Sequence, residues 1–249
     1  MVFFIGAGPG AADLITVRGA ELLRQADTII YAGSLVSAEL LAYAKPDCRI
    51  FNSAEMTLDE VIAAIVSSGG IVARLHTGDP SLYGAIREQM DRLTELGINY
   101  EVCPGVSAFS GAAAALKAEY TLPNVSQSVV ITRMAGRTSV PERESVRSFA
   151  AHGATMVIFL SAGMTEALQS ELIGGGYGAD TPAAIVYKAT WSDQKIVRCT
   201  VGTLHSSAVE NGIGNHALIT VGGFLGGDYE LSKLYDPAFT TAFRKGTET

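Results

Sequence analysis

Charge is scarce in this chain. Only 17% of its 249 residues are Asp, Glu, Lys or Arg, while 48% are apolar. That balance excludes the disordered class and leaves enough apolar surface for a sizeable buried core. The charge present leans acidic, with 18 Lys and Arg against 25 Asp and Glu and a formal net charge of −7. Nucleic-acid partners call for a basic surface, so no nucleic-acid partner is expected. A small anionic ligand remains compatible if a few arginines gather locally. No apolar run approaches the ~18 residues needed to cross a bilayer, and no membrane partner is expected either. The start lacks the basic segment of a secretory signal, because Val2-Phe3-Phe4-Ile5 runs straight into glycine. Cysteine is nearly missing: Cys48, Cys103 and Cys199 are widely spaced and form no paired zinc or redox motif. A cytoplasmic location follows as the expectation. His76, His152, His205 and His216 show no metal-ligand spacing, and no Gly-x-Ser-x-Gly elbow occurs. Neither a protein-held metal nor a hydrolytic triad is expected.

Glycine, by contrast, is abundant, with 27 residues, and three glycine-bearing loops stand where a strand hands over to a helix. Gly6-Ala7-Gly8-Pro9-Gly10 follows the apolar run that opens the chain. Thr77-Gly78-Asp79-Pro80-Ser81-Leu82-Tyr83-Gly84 follows Ile71-Val72-Ala73-Arg74-Leu75, and Cys103-Pro104-Gly105-Val106-Ser107-Ala108 follows Tyr100-Glu101-Val102. Ligands of open α/β sheets lie beyond the carboxyl ends of the strands, so the three loops predict one shared cleft.

The whole chain alternates strand-like and helix-like stretches. Strands are predicted over 2–6, 27–31, 49–52, 71–76 and 100–103, with helices near 17–25, 37–44, 58–67, 85–96 and 108–116. Leu58, Val61, Ile62 and Ile65 recur at helical spacing behind Thr57 as a cap. Leu82, Ile86, Met90 and Leu93 recur likewise. Tyr120-Thr121-Leu122-Pro123-Asn124 breaks the pattern and reads as a linker. Beyond it, strands are predicted over 127–132, 155–161, 183–189, 195–200 and 216–221, with helices near 142–150, 165–173 and 203–210. The spacing of 183–189 and 195–200 suits a hairpin across 190–194, hence a mixed sheet. The expected fold class is α/β: one α/β domain over 1–119 and a second, with a mixed sheet, over 124–249, facing each other across a cleft.

Gly6, Gly8 and Ala11 satisfy the loose G-x-G-x-x-G/A fingerprint, so a nicotinamide-dependent oxidoreductase enters as an alternative. Pro9 opposes it by removing an amide hydrogen from the loop, and the second strand ends Ile29-Ile30-Tyr31-Ala32-Gly33 without an acidic residue for the ribose. Asp79 reads either as a cap for a helix beginning near Ser81 or as a carboxylate facing a cationic ligand; the sequence leaves both open. Ser107 reads by default as a helix N-cap, and the small residues that follow read as close helix packing. Arg133, Arg137, Arg143 and Arg147 gather at the start of the second half. Glu142 and Glu144 partly neutralise the last two, whereas Arg133 and Arg137, in a loop after a strand, suit capture of carboxylates.

In this order and combination the three loops resemble the tetrapyrrole methylase family, enzymes that methylate uroporphyrinogen and the precorrins with S-adenosyl-L-methionine. The Gly-x-Gly-x-Gly opening, Gly78-Asp79-Pro80 and Cys103-Pro104-Gly105-Val106-Ser107-Ala108 carry the resemblance, which runs along nearly the whole chain. Tyr31-Ala32-Gly33-Ser34-Leu35-Val36, 131–138 and Leu234-Tyr235-Asp236-Pro237-Ala238-Phe239 resemble the branch acting on precorrins. The resemblance implies two α/β domains (class III) with the cofactor in their cleft, usually in a homodimer. It carries cofactor contacts onto Pro9, Thr77, Gly78, Asp79, Leu82, Ser107, Ala108, Leu160 and Ala189. The substrate, a tetrapyrrole rich in carboxylates, is expected to meet Gly8, Tyr83, Arg133 and Arg137. No residue is assigned as a catalytic acid or base.

Overall fold

The computed structural model describes residues 1–247; the last two positions of the expected 124–249 domain lie outside the described residues. The chain divides into two compact units. One comprises Met1–Leu116 together with Val186–Lys195; the other comprises Lys117–Ile185 and the chain from Ile196 onward.

The first unit holds a five-stranded sheet. Its strands are β1 (Val2–Gly6), β2 (Thr28–Tyr31), β3 (Arg49–Asn52), β4 (Val72–His76) and β5 (Tyr100–Cys103), in the order β3-β2-β4-β1-β5. All four pairings are parallel, as strand–helix alternation dictates. The helices are α1 (Val17–Gln25), α2 (Leu58–Val66), α3 (Ile86–Glu95) and α4 (Ala108–Leu116). Alternate strand residues feed two apolar clusters. Ile5, Ile29, Ala73 and Leu75 pack with Leu23 of α1, whereas Val2, Phe4, Ile30 and Val72 pack with Val61, Ile62 and Ile65 of α2 and Leu93 of α3. A sheet buried on both faces explains the near-continuous apolar strands. Helix α2 starts where its cap dictates. Thr57 Oγ1 accepts from Glu60 N–H at 3.3 Å, while the Glu60 carboxylate accepts from Thr57 N–H at 2.6 Å, forming a capping box.

The second sheet contains β6 (Val129–Arg133), β7 (Thr155–Phe159), β8 (Pro182–Tyr187), β9 (Lys195–Thr200) and β10 (Ala217–Val221), in the order β6-β7-β10-β8-β9. Strands β6 and β7 are parallel and β7 and β10 antiparallel, so the sheet is mixed. Helices α5 (Val146–Ala150), α6 (Thr165–Gly175) and α7 (Leu204–Glu210) complete the unit. Met156, Ile158, Leu168, Leu172 and Ile185 are fully buried in it. No helix among the described residues is long and apolar enough to cross a membrane.

Several expectations need correction. The 37–44 segment is a 3₁₀ helix, Ala38–Tyr43, and the 142–150 segment is a 3₁₀ turn, Glu142–Glu144, followed by α5 with Ser145 as its cap. Helix α3 begins only at Ile86, so Leu82 belongs to the preceding turn despite its helical spacing. Arg147 pairs with Glu171 of α6 at 3.1 Å, an ion pair that sequence proximity to Glu142 and Glu144 does not reveal.

Candidate functional site

Strands β4, β1 and β5 are neighbours and parallel, so the loops leaving their carboxyl ends share one edge of the sheet. The order of strands thus brings together three loops that are up to a hundred residues apart in sequence. They meet main chain to main chain. Ala7 N–H donates to His76 O at 2.8 Å, Gly78 N–H to Gly8 O at 2.8 Å, and Gly8 N–H to Gly78 O at 3.3 Å. A Cβ on Gly6 would lie 2.6 Å from both Gly105 N and Gly78 O, and one on Gly105 would lie 2.6 Å from Gly6 Cα. No side chain fits there. Gly78 adds a second demand, φ +60°, which glycine meets without strain.

Asp79 caps no helix. Its Oδ1 accepts from Ser81 N–H at 2.8 Å and from the Ser81 hydroxyl, while Oδ2 accepts from Gly105 N–H at 2.8 Å. The carboxylate therefore staples the second loop to the third. Partial burial pushes its pKa up, but the hydrogen bonds from Ser81 and Gly105 prevail and hold it below the ordinary carboxylate value. Asp79 is an anion at neutral pH, and its two bonded oxygens retain lone pairs for a further donor or a positive charge.

The turn from Thr77 to Ala85 is braced from beneath by a polar network inside the apolar sheet. Arg74 is 7% exposed; it donates from Nε to Gln89 Oε1 at 3.0 Å and from Nη1 to the carbonyls of Ile30 and Leu75 at 3.3 and 3.2 Å. Gln89 in turn donates to Ala85 O at 3.0 Å. Burial pushes the Arg74 pKa down to about 10. His76, 6% exposed, is held neutral: burial first, and the Arg74 charge second, push its pKa down to about 3. Its Nε2 has no hydrogen-bond partner among the described residues. Above this network Tyr83 and Ala85 adopt left-handed conformations, φ +56° and +48°. Such strain persists only where surrounding structure fixes it. Tyr83 is 43% exposed.

Pro9, Gly78 and Ser107 are buried, whereas Thr77, Asp79, Leu82 and Ala108 are partly exposed. Six of the expected cofactor positions, Pro9, Thr77, Gly78, Asp79, Leu82 and Ser107, thus lie on the three joined loops, and Ala108 opens α4 directly after the third. Ala189 also belongs to the first unit. It is buried and flanked by left-handed Lys188 and Thr190, φ +45° and +71°. Leu160 belongs to the second unit, where it follows β7 with φ +52° and is 65% exposed. A left-handed, exposed leucine at a strand end is a position glycine would fill at lower cost. Arg133 ends β6 and spends its guanidinium on its own loop, donating to the carbonyls of Met134, Thr138 and Ser139 at 3.1, 3.2 and 2.9 Å. Arg137, at the tip of that loop, is exposed.

The first glycine loop is unfit for a pyrophosphate. Pro9 has no amide hydrogen, Ala11 N–H donates to Thr190 Oγ1 at 3.0 Å, and Trp191 covers Gly10. Nicotinamide-dependent oxidation loses its only support. Thr190 and Trp191 escape a reading of the sequence, in which 190–194 is a mere hairpin connection; the signal available is the chain's single tryptophan placed in a turn. Among the described residues no group of three His, Cys, Asp or Glu could hold a metal.

The family described as Tetrapyrrole (Corrin/Porphyrin) Methylases matches residues 1–205. The chain is 50% identical over 248 residues to a cobalt-precorrin-4 C(11)-methyltransferase of Methanocaldococcus jannaschii, covering 98% of this chain and 96% of that protein. It is 48% identical over 248 residues to a precorrin-4 C(11)-methyltransferase of a Sinorhizobium species, covering 98% of each. Among solved structures, that of a cobalt precorrin-4 methyltransferase, a cobalamin biosynthetic enzyme, superposes with TM-score 0.88 at 46% identity, covering 91% of this chain and 96% of that one.

Proposed function

The chain belongs to the tetrapyrrole (corrin/porphyrin) methylases, and from that premise we propose that it methylates C-11 of precorrin-4 in cobalamin biosynthesis. The methyl donor is S-adenosyl-L-methionine and the products are precorrin-5 and S-adenosyl-L-homocysteine. The observation that carries the reading is the junction of the three glycine loops, where main chain packs on main chain and Asp79 joins the second to the third. The residues fit the donor. Gly6, Gly78 and Gly105 let the three loops close on one another, and Asp79 sets an ionised carboxylate at their junction, matched to a sulfonium or an ammonium group. Pro9, Thr77, Leu82, Ser107, Ala108 and Ala189 supply the remaining contacts.

When bound, S-adenosyl-L-methionine supplies a methyl group already activated by its sulfonium. What remains for the protein is to hold an enamine-like ring carbon in line with that group, at about 3–3.5 Å for a near-attack geometry. Positioning of this kind supplies on the order of 7–11 kcal/mol in the best intramolecular cases. The loops are rigid enough to hold it, because the Gly8–Gly78 pair of hydrogen bonds and the Asp79 staple tie them together. No side chain has to remove a proton before the carbon–carbon bond forms. Gly8 and Tyr83 border the macrocycle, and Arg137 takes one of its carboxylates, offsetting the repulsion of a chain whose net charge is −7. The protein works as a homodimer in the cytoplasm.

The deciding experiment incubates the protein with methyl-labelled S-adenosyl-L-methionine and precorrin-4, with and without inserted cobalt, and locates the new methyl by NMR. Label at C-11 supports the reading, and the preferred arm tells whether the substrate carries cobalt. Label at another ring carbon, or none in either arm, refutes it.

A further inference from the structure

The only tryptophan of the chain stands in the turn after β8, where it does two things at once. Its Nε1–H donates to Pro9 O at 3.1 Å, and its indole lies so close over Gly10 that a Cβ there would collide with it. The neighbouring Thr190 accepts the Ala11 amide at 3.0 Å. The same loop also packs on α4: a Cβ on Gly111 would lie 2.7 Å from Pro9 Cβ and 3.5 Å from Thr190 Cγ2. Residues 9–11 are therefore held by a helix glycine and the 189–191 turn, all of them within the first unit.

The turn is built to hold. Lys188 and Thr190 are left-handed without being glycine, a costly conformation that needs support from its surroundings. That support is local. Trp191 N–H donates to Lys188 O at 3.0 Å, Thr190 N–H to Gln194 Oε1 at 2.7 Å, and Lys188 Nζ to Asp193 at 2.6 Å. The Lys188 ammonium also lies 5.4 Å from the Trp191 ring centroid. The indole N–H and the Thr190 hydroxyl are both engaged on the glycine loop, so neither residue needs to touch a ligand to matter. What they fix is the separation of Pro9 from Ala189, because Trp191 reaches Pro9 and the Ala189 carbonyl lies 2.8 Å from the Gly10 Cβ position.

We infer that Trp191, assisted by Thr190, is a positioning residue that sets Pro9 and Ala189 at the spacing the methyl donor and macrocycle require; the inference rests on the methyl-transfer reading above. Trp191→Phe keeps an aromatic ring and deletes the donor, while Thr190→Val deletes the acceptor and Thr190→Ser restores it. Calorimetry with S-adenosyl-L-homocysteine and steady-state kinetics with precorrin-4 read the effect. Loss of one such hydrogen bond should raise the Kd and the tetrapyrrole KM roughly 3- to 10-fold each. The same variants should change kcat less and lower the thermal midpoint by only a few degrees, and Thr190→Ser should return both constants to the parent values. A purely structural role would instead lower the midpoint and the active fraction, leaving Kd and KM of the folded protein unchanged, and that result overturns the inference. If Trp191→Phe fails to fold, the Thr190 pair decides by the same criteria. Unchanged constants in the variants, with binding intact in the parent, sink the positioning role alone. No binding of S-adenosyl-L-homocysteine by the parent sinks the methyl-transfer reading, and this inference with it.

Discussion

Adding one methyl group at Gly105 should do more harm to ligand binding than adding one at any exposed turn glycine. A Cβ there would stand 2.6 Å from Gly6 Cα and 2.9 Å from Gly6 C, with the Gly78 carbonyl closer still. Ordinary carbon contacts begin near 3.5 Å, so the Gly6 loop must retreat by about 0.9 Å and the Gly78 carbonyl by more. All the atoms in the way are backbone, so rotamer changes offer no relief. Overpacking of this kind costs roughly 1–3 kcal/mol of stability. A displacement near 1 Å at a reacting centre can cost about 100-fold in rate. Two other glycines separate strain from position. Gly69→Ala meets nothing within 4 Å but carries φ +67°, so only the left-handed cost of ~1–2 kcal/mol applies. Gly78→Ala has the same strain, φ +60°, and a milder approach of 3.2 Å to Ala108 N. Chemical denaturation should therefore find all three variants destabilised by comparable amounts. Calorimetry with S-adenosyl-L-homocysteine should rank them quite differently, Gly105→Ala weakest by one to two orders of magnitude, Gly78→Ala intermediate and Gly69→Ala like the parent. Equal affinities for Gly105→Ala and Gly69→Ala would refute the claim that this backbone junction positions the binding loops.

Asp79→Asn keeps the shape but turns an acceptor into a donor facing either Ser81 or Gly105; unfolding should become easier by about 1.5–3 kcal/mol and cofactor affinity should drop with it, and an unchanged denaturation midpoint contradicts the staple. Arg137→Ala should raise the tetrapyrrole KM roughly tenfold with little loss of kcat, whereas Arg133→Ala, which frees three loop carbonyls, should also lower thermal stability. His76 predicts an acid limb to stability. Its folded pKa of about 3 lies below the unfolded value, so above pH ~6.5 both states are neutral and it contributes nothing. As pH falls below that, the unfolded state alone takes up the proton, and stability declines by roughly 1.4 kcal/mol per pH unit until the folded pKa is reached. His76→Gln should remove that slope between pH 6 and 4, and parallel profiles for the two proteins would exclude the assignment.

Much of the frame is legible in the chain because periodicity and punctuation agree there. The strands Val2–Gly6 and Tyr100–Cys103 fall where apolar spacing and flanking glycine or proline set them, and the helix Leu58–Val66 falls where helical spacing and its Thr57 cap set it. The three loops are legible as loops, and the parallel order of their strands makes them meet. What escapes depends on partners distant in sequence. Asp79 resembles a helix cap because nothing local announces Gly105 as its second donor. Trp191 is 182 residues from the carbonyl it holds. Arg74 and His76 lie in a strand whose apolar pattern hides a buried polar network. Arg133 reads as free for a ligand, and only the folded loop reveals the three carbonyls that occupy it.

The junction of Gly6, Gly78 and Gly105 has an experimental consequence of its own. Truncation surveys replace large groups by small ones, and at these positions there is nothing left to truncate. A systematic removal of side chains would pass over this surface in silence and credit its effect to the residues around its rim. Only substitutions that add bulk can probe such a region.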